Sequence, residues 1–194
     1  FLVELGCEEL PPKRLARLEQ SFADGIKRHL EQANIEFDSI QSYAAPRRLA
    51  VMVQGIATEQ PDRTVERKGP AVKAAFDADG NPTKACMGFA QSCGVDVAAL
   101  ERKETDKGTW LYYAQTIQGK TTIDVLPTIV DKTLSELPVA KPMRWGNTDL
   151  SFIRPVHWLV MLMDNEIIPC ELLGLKAGNE SRGHRFHHSE AVLI

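Results

Sequence analysis

KPMRWG at residues 141–146 and FIRPVHW at residues 152–158 are the two stretches that decide how the fold of this chain is interpreted. Arg144 is followed directly by Trp145, and Arg154 lies shortly before Trp158. An arginine among large aromatic side chains is costly to bury unless its guanidinium has a partner. The stretches therefore predict either a site for an anionic or planar partner, or a structural joint near one edge of a sheet. In the joint, which we favour, the tryptophans pack and the arginines pair with carboxylates or backbone carbonyls.

The composition is that of an ordinary globular protein. The chain has 194 residues, of which 43% are hydrophobic and 25% charged, and this length suits one large domain or two small ones. We expect residues 1–194 to form one α+β region, and a division into two subdomains would fall near residues 60–80. The formal net charge is −3, so any contact with a nucleic acid must come from local basic patches.

Three features of the sequence predict a cytoplasmic protein. No apolar run reaches the length of about 18 residues that a membrane span needs. The start at Phe1 lacks a basic region and is unlike a signal peptide; it also lacks an initiator methionine, so we expect a few residues to precede it. The four cysteines contain no C-x-x-C pair and are interpreted as reduced and structural.

Hydrophobic periodicity predicts an α+β fold, with mixed, largely antiparallel sheets and about three helices. The predicted helices cover residues 12–33, residues 83–93 and a segment from Thr121 or Thr122 to Leu137. The start of the last helix is expected nearer Asp124, because Pro127 lies late for a first helical turn. The predicted strands cover residues 1–7, 35–45, 49–57 and 64–70, with hairpins at 102–117 and at 157–175, where the return arm covers 166–175.

Ten side chains are candidates for contact with an anionic partner. They fall in clusters near the ends of predicted strands, where loops could present them. One such cluster is most often a solvated surface, but several on a chain of net negative charge indicate an anionic partner. The candidates are Arg47, Arg48, Arg67, Lys68, Lys141, Arg144, Arg154, Arg182, His184 and Arg185.

No catalytic residue and no metal site are predicted. The motifs of phosphate-binding loops, dinucleotide-binding folds, serine hydrolases and zinc proteases are absent from the sequence. The three histidines within residues 184–188, together with Cys170, could supply metal ligands. Gly183 argues against a helix that would align them, and no second ligand pair exists at a fixed spacing. A partly buried structural role, or a phosphate contact through this segment, is the preferred interpretation.

Six short blocks in a fixed order carry a resemblance to a known family. They are FLVELGCEELP at residues 1–11, PRRLA at 46–50, KGPA at 68–71, MRWG at 143–146, FIRPVHW at 152–158 and GHRF at 183–186. Together they resemble the N-terminal part of the β subunit of the bacterial tetrameric glycyl-tRNA synthetase, over essentially the whole chain. Cys7 and Ala45 stand where threonine is expected, and both departures are conservative.

The resemblance implies an N-terminal fragment of a longer β subunit, without the later HD-like and anticodon-binding-type domains. The enzyme would be an α2β2 assembly that joins glycine to its tRNA, using ATP and magnesium held with glycine by the α subunit. The fragment would bind no cofactor and have no aminoacylation activity alone. It would support assembly with the α subunit, or tRNA binding through the ten candidates, and its fold would be similar to the B3/B4 domain of phenylalanyl-tRNA synthetase. A purely structural scaffold without RNA contact and a hydrolytic editing-type module stay open as alternatives.

Overall fold

A computed structural model describes residues 1–106, 108–139, 141–146, 150–188 and 190–194. These residues form two compact units: unit 1 is Phe1–Pro61 with Lys120–Ile194, and unit 2 is Asp62–Gly119. In chain order the elements are β1 (Leu2–Cys7), a 3-10 helix (Pro12–Arg14), α1 (Leu15–Gln32), β2 (Ser39–Ala45), β3 (Arg48–Gln54), β4 (Arg63–Ala71), α2 (Val72–Ala75), α3 (Lys84–Cys93), a second 3-10 helix (Val97–Ala99), β5 (Glu101–Thr105), β6 (Gly108–Ile117), α4 (Thr122–Ser135), β7 (Met143–Arg144), β8 (Ser151–Phe152), β9 (Val156–Met163), β10 (Glu166–Ile167), β11 (Glu171–Leu172), β12 (Leu175–Lys176), β13 (Glu180–Arg182) and β14 (Ala191–Leu193).

The main sheet of unit 1 has five antiparallel strands in the order β10-β9-β1-β3-β2. β1 lies in the middle, where Val3 is opposite Val51 of β3 on one side and Met161 of β9 on the other. From Val3 to Cys7 every residue of β1 is buried. A strand that is covered in this way has a nearly continuous apolar sequence, and Glu4 is the acidic exception.

Two helices complete the core of unit 1. α1 packs on β2 and β3, and α4 packs on α1. The buried positions of α1 include Leu18, Phe22, Ile26 and Leu30, whose spacing of about four residues places them on one helical face. The helices approach closely at Gly25, where an added Cβ would lie 2.5 Å from the Cγ2 methyl of Thr133 in α4.

Unit 2 has its own sheet and its own small core. The three strands lie in the order β4-β6-β5, and α2 and α3 pack against each other and against this sheet. Leu111 of β6, Ala75 of α2 and Cys86 of α3 form the buried centre. The predicted hairpin of residues 102–117 is confirmed by the pairing of β5 with β6, which ends where Thr105 is opposite Gly108; Lys107 of the predicted turn lies outside the described residues.

The predicted fold class is confirmed: the described residues form a mixed α+β structure in which the named strands pair antiparallel. The three predicted helices correspond to α1, α3 and α4. The four-residue helix α2 was not predicted, because a single turn leaves no periodicity to recognise. α3 ends at Gly94 in the left-handed conformation, with φ of 71°, as expected of a glycine after a helix.

The predicted hairpin after β9 is confirmed at its turn, but the return arm predicted over residues 166–175 is too long. Its ladder with β9 covers Glu166–Ile167, and Pro169 follows shortly after, which has no N–H to donate to a continuing ladder. The chain then turns at Leu173 and Gly174, whose φ angles are 52° and 76°. Two successive residues of positive φ form the turn of a tight hairpin, and this turn joins β11 to β12.

Two predicted boundaries also need correction. The strand expected over residues 35–45 begins only at Ser39, because the Ile35 N–H donates back to the Leu30 carbonyl at 3.0 Å. α4 begins at Thr122 and not nearer Asp124, since the side chain of Thr121 caps it by accepting from the Asp124 N–H at 3.4 Å. Pro127 therefore lies inside the helix.

Candidate functional site

A cleft of about 750 Å³ in unit 1 brings five of the ten candidate side chains together. They are Arg47, Arg48, Arg182, His184 and Arg185. The structure places the other five elsewhere. Lys141 and Arg154 line a second cleft of about 330 Å³ in unit 1, Arg144 is an exposed residue of β7, and Arg67 and Lys68 lie on β4 of unit 2.

Three chain segments build the larger cleft, which we call the arginine cleft. The turn between β2 and β3 carries Arg47, and Arg48 is the first residue of β3. The start of β9 carries His157 and Trp158, and the segment after β13 carries residues 183–188. The chain leaving β1 holds the first two segments in place. The Cys7 N–H donates to the Arg47 carbonyl, and the Glu8 N–H donates to the Pro155 carbonyl, both at 2.9 Å.

A buried carboxylate, that of Glu4, contacts two of the residues that line the arginine cleft, Trp158 and Arg48. Glu4 accepts a hydrogen bond at 2.7 Å from the indole N–H of Trp158, accepts another from the Ser181 hydroxyl, and lies 3.4 Å from Nε of Arg48. The Arg48 guanidinium also donates to the Arg182 carbonyl and lies 5.8 Å from the centre of the Trp158 ring. Arg48 is therefore engaged by contacts within the protein, one of which is its ion pair with Glu4.

Glu8 contacts two basic side chains that line the arginine cleft, His157 and Arg47. Its carboxylate lies 2.8 Å from Nε2 of His157 and 3.4 Å from the guanidinium of Arg47. The hydrogen bond with His157, assisted by the charges of Arg47 and Arg185, lowers the pKa of the Glu8 carboxyl below its ordinary value. Glu8 is thus ionised at neutral pH and fixes the orientation of both neighbours.

Arg182 and Arg185 point their charge at solvent. Both residues are exposed, and among the described residues neither has a carboxylate within the 4.0 Å of an ion pair. His184 and His188 are exposed as well, so the partly buried structural role considered for the histidine segment does not match its surroundings. The guanidinium groups of Arg182 and Arg185 are the part of the arginine cleft that is available to an anionic ligand.

The favoured structural joint is visible around Arg154 and the two tryptophans. Nε of Arg154 donates to the Glu9 carbonyl at 3.0 Å, and its Nη1 donates to the Ile153 carbonyl at 3.3 Å. Trp145 packs against the core of unit 1, and Trp158 is half-buried with its N–H bonded to Glu4. Backbone carbonyls thus pair with Arg154, as that interpretation requires.

Cys7 is a buried cysteine whose N–H bonds to Arg47 of the arginine cleft. Burial raises the pKa of its thiol to about 12, so the thiol stays protonated and unreactive at neutral pH. No group of three His, Cys, Asp or Glu side chains that could hold a metal ion occurs within the described ranges. Of the helices in those ranges, none has the length and apolar character to cross a membrane.

Sequence reasoning missed three contributors to this site: Glu4, Ser181 and Phe186. A signal existed for Glu4, because a carboxylate in an apolar central strand must have partners. No local signal marks Ser181, whose partner lies 177 positions away in the chain. Phe186 was quoted only as part of a motif, and its exposure is visible only in the fold.

Comparison with known proteins identifies the family of the chain. The whole chain, residues 1–194, matches the family model described as glycyl-tRNA synthetase beta subunit. Similar relatives are glycine–tRNA ligase beta subunits of Hahella chejuensis (55% identical), Coxiella burnetii strain Dugway (50%) and Pseudomonas syringae pv. tomato (53%). Each comparison covers all of this chain but only 28% of the relative. The chain therefore belongs to the glycyl-tRNA synthetase beta subunit family.

Proposed function

We propose that the chain is a non-catalytic part of glycine–tRNA ligase and that its arginine cleft binds the phosphate backbone of tRNA. The whole enzyme attaches glycine to its tRNA. The names of the relatives support this activity, and their greater length leaves room for the parts that perform it.

One observation carries the role of this chain, namely the exposed cations of the arginine cleft. Arg182 and Arg185 lie in the same cleft as His184 and His188, and within the described part of the chain no ion pair neutralises either arginine. Guanidinium groups match the geometry of phosphate oxygens and form charge-assisted hydrogen bonds with them. On a chain of net charge −3, such a local patch is what contact with RNA requires.

The partners follow from the same proposal. The chain works with an α subunit, as the word beta in the names of its relatives supports, and the assembly that we propose is α2β2. ATP, with magnesium, is used through the α subunit, and this chain binds no cofactor. The reaction takes place in the cytoplasm. Lys141, Arg144 and Arg154, with Arg67 and Lys68, are secondary candidates for contact with tRNA or the α subunit.

A purely structural role is the second candidate, because Arg48 and Arg154 are engaged by the protein itself. The two proposed roles predict different tRNA binding by one variant of the complete enzyme, which is assembled from the full-length chain and its α subunit. We expect Arg182→Ala with Arg185→Ala to weaken binding of glycine tRNA about tenfold or more at physiological salt. The slope of log Kd against log salt should fall by about two, one for each phosphate that the variant no longer binds. Titrations between about 50 and 200 mM salt measure both quantities.

Lys13→Ala with Lys27→Ala is the matched control, since both lysines are exposed on or beside α1 and do not line the arginine cleft. This variant removes the same charge and should leave the slope nearly unchanged. Equal effects of the two double variants, or no effect of the arginine pair, would favour the scaffold.

A further inference from the structure

Phe186 is the most exposed large apolar side chain among the described residues, with 81% of its surface accessible. It lies in the segment after β13 and lines the arginine cleft. An aromatic ring contributes large apolar surface that is normally buried. Its position in water, at the rim of a cleft, indicates a partner that covers it.

The surroundings of the ring define the chemistry of that partner. The Arg185 guanidinium lies 5.5 Å from the centre of the Phe186 ring, and the His184 ring lies 6.2 Å from it. His184 in turn lies 4.5 Å from the ring of His187. The rings of His184, Phe186 and His187 and the guanidinium of Arg185 therefore lie close together within residues 184–187. A ligand that is planar at one end and anionic at the other satisfies both the ring and the cations.

We propose that Phe186 is a stacking platform for an unpaired nucleotide of tRNA, whose phosphate is held by Arg182 and Arg185. The inference rests on the proposed tRNA contact and adds the kind of RNA element that is recognised. A base inside a duplex already has both faces stacked, whereas an unpaired base can stack on an aromatic side chain. The cleft volume of about 750 Å³ lies within the range of small-molecule sites, so a single nucleotide fits.

Stacking and phosphate contact leave different signatures in binding. Removing a stacking surface lowers affinity without changing the number of counterions released, so it changes Kd but not the salt slope. Removing a phosphate-binding cation changes both. The two parts of the site can therefore be separated by one set of titrations on the complete enzyme with glycine tRNA.

We expect Phe186→Ala and Phe186→Leu each to raise the Kd for glycine tRNA about tenfold, since neither variant offers an aromatic ring for stacking. Phe186→Trp should bind within about twofold of the natural protein, because it restores a stacking surface. The salt slope should be the same in all three variants. Since Phe186 is exposed, these changes should not unfold the protein, and Leu193→Ala, at a residue with 72% exposure, is the matched control that should leave Kd unchanged.

Two results would overturn the inference while leaving the proposed function intact. In one, Phe186→Leu binds as well as the natural protein, which means that apolar contact and not stacking matters. In the other, Phe186→Ala has no effect while the arginine pair reduces both affinity and slope, which means that the ring does not contribute to tRNA binding. If the arginine pair itself has no effect, the proposed tRNA contact fails and this inference fails with it.

Discussion

The carboxylate of Glu4 lies in the middle of β1, and only 7% of the residue is exposed. A buried charge is tolerated when ion pairing and hydrogen bonds replace its hydration. Trp158, Ser181 and Arg48 provide these contacts from three different strands. The side chain of a single residue thus fixes the positions of β9, β13 and β3 below the arginine cleft.

Gly6 is the residue that allows this arrangement. It is opposite Trp158 in the pairing of β1 with β9, and a Cβ at this position would lie 1.9 Å from Cε2 of the indole. We expect Gly6→Ala to lower the free energy of unfolding by about 1–3 kcal/mol, the usual cost of overpacking. The ring must move, and its hydrogen bond to Glu4 is then broken. Urea denaturation measures the change.

The same substitution tested without the indole provides the check. In a Trp158→Ala background, Gly6→Ala should cost much less, because the clashing atoms are gone. Gly178→Ala is the matched control, since an added Cβ there would meet nothing within 4 Å. An equal loss of stability with and without the indole would contradict this explanation.

At the scale of elements, the contact between α1 and α4 depends on a small residue. Gly25 lies in the middle of α1, where glycine costs about 0.5–1 kcal/mol relative to alanine. The helix accepts this cost because Thr133 of α4 lies against the glycine. Thr133 is fully buried, and its hydroxyl donates to the Ile129 carbonyl at 2.8 Å, so its side chain has little freedom to move away.

We therefore expect Gly25→Ala to destabilise unit 1 by about 1–3 kcal/mol, although alanine is the better helix former. Thr133→Ser removes the methyl group that an alanine would meet and keeps the hydroxyl. In that background Gly25→Ala should be close to neutral or stabilising. Thermal and urea unfolding of the four proteins of this double-mutant cycle measure the coupling, and additive effects would rule out the contact as the cause.

The elements that the sequence predicts well are those whose signal is local. The repeated apolar positions of α1 and the glycine after α3 identify these helices without any tertiary information. The arginine cleft is different, because the side chains of Arg47, Arg182 and Trp158 are brought together by strand pairing across most of the chain. Basic clusters could be found one by one, but the distances among them depend on the sheet order, which no local pattern contains.

At the scale of the whole molecule, unit 2 is inserted between two segments of unit 1 that lie side by side. Glu59 forms an antiparallel bridge with Thr121, and the Gln60 N–H donates to the Lys120 carbonyl at 2.9 Å. The two hydrophobic cores share no residue. A composition shift can indicate where an inserted unit begins. The sequence does not mark the position near Lys120 where the chain re-enters unit 1.

We expect unit 1 to fold when Asp62–Gly119 is replaced by a short Asn-Gly turn. Gln60 and Lys120 are already hydrogen-bonded across from each other, as in a β-hairpin. A shorter loop between them lowers the entropy cost of loop closure. Circular dichroism should show one cooperative thermal transition with the helical signal of α1 and α4 retained. Loss of cooperative unfolding in this deletion, while the natural chain unfolds cooperatively, would show that unit 1 depends on unit 2.

The central position of β1 also has a consequence for biosynthesis. β1 is synthesised before its neighbour β9, so the ladder that pairs Leu2 with Leu162 cannot form until β9 has been translated. Unit 2 needs only residues 62–119 and can fold while unit 1 is still half-made, as expected when contacts within a unit are local. Until β9 is translated, one edge of an apolar strand is unpaired, so this is the interval in which the nascent chain most needs protection from aggregation.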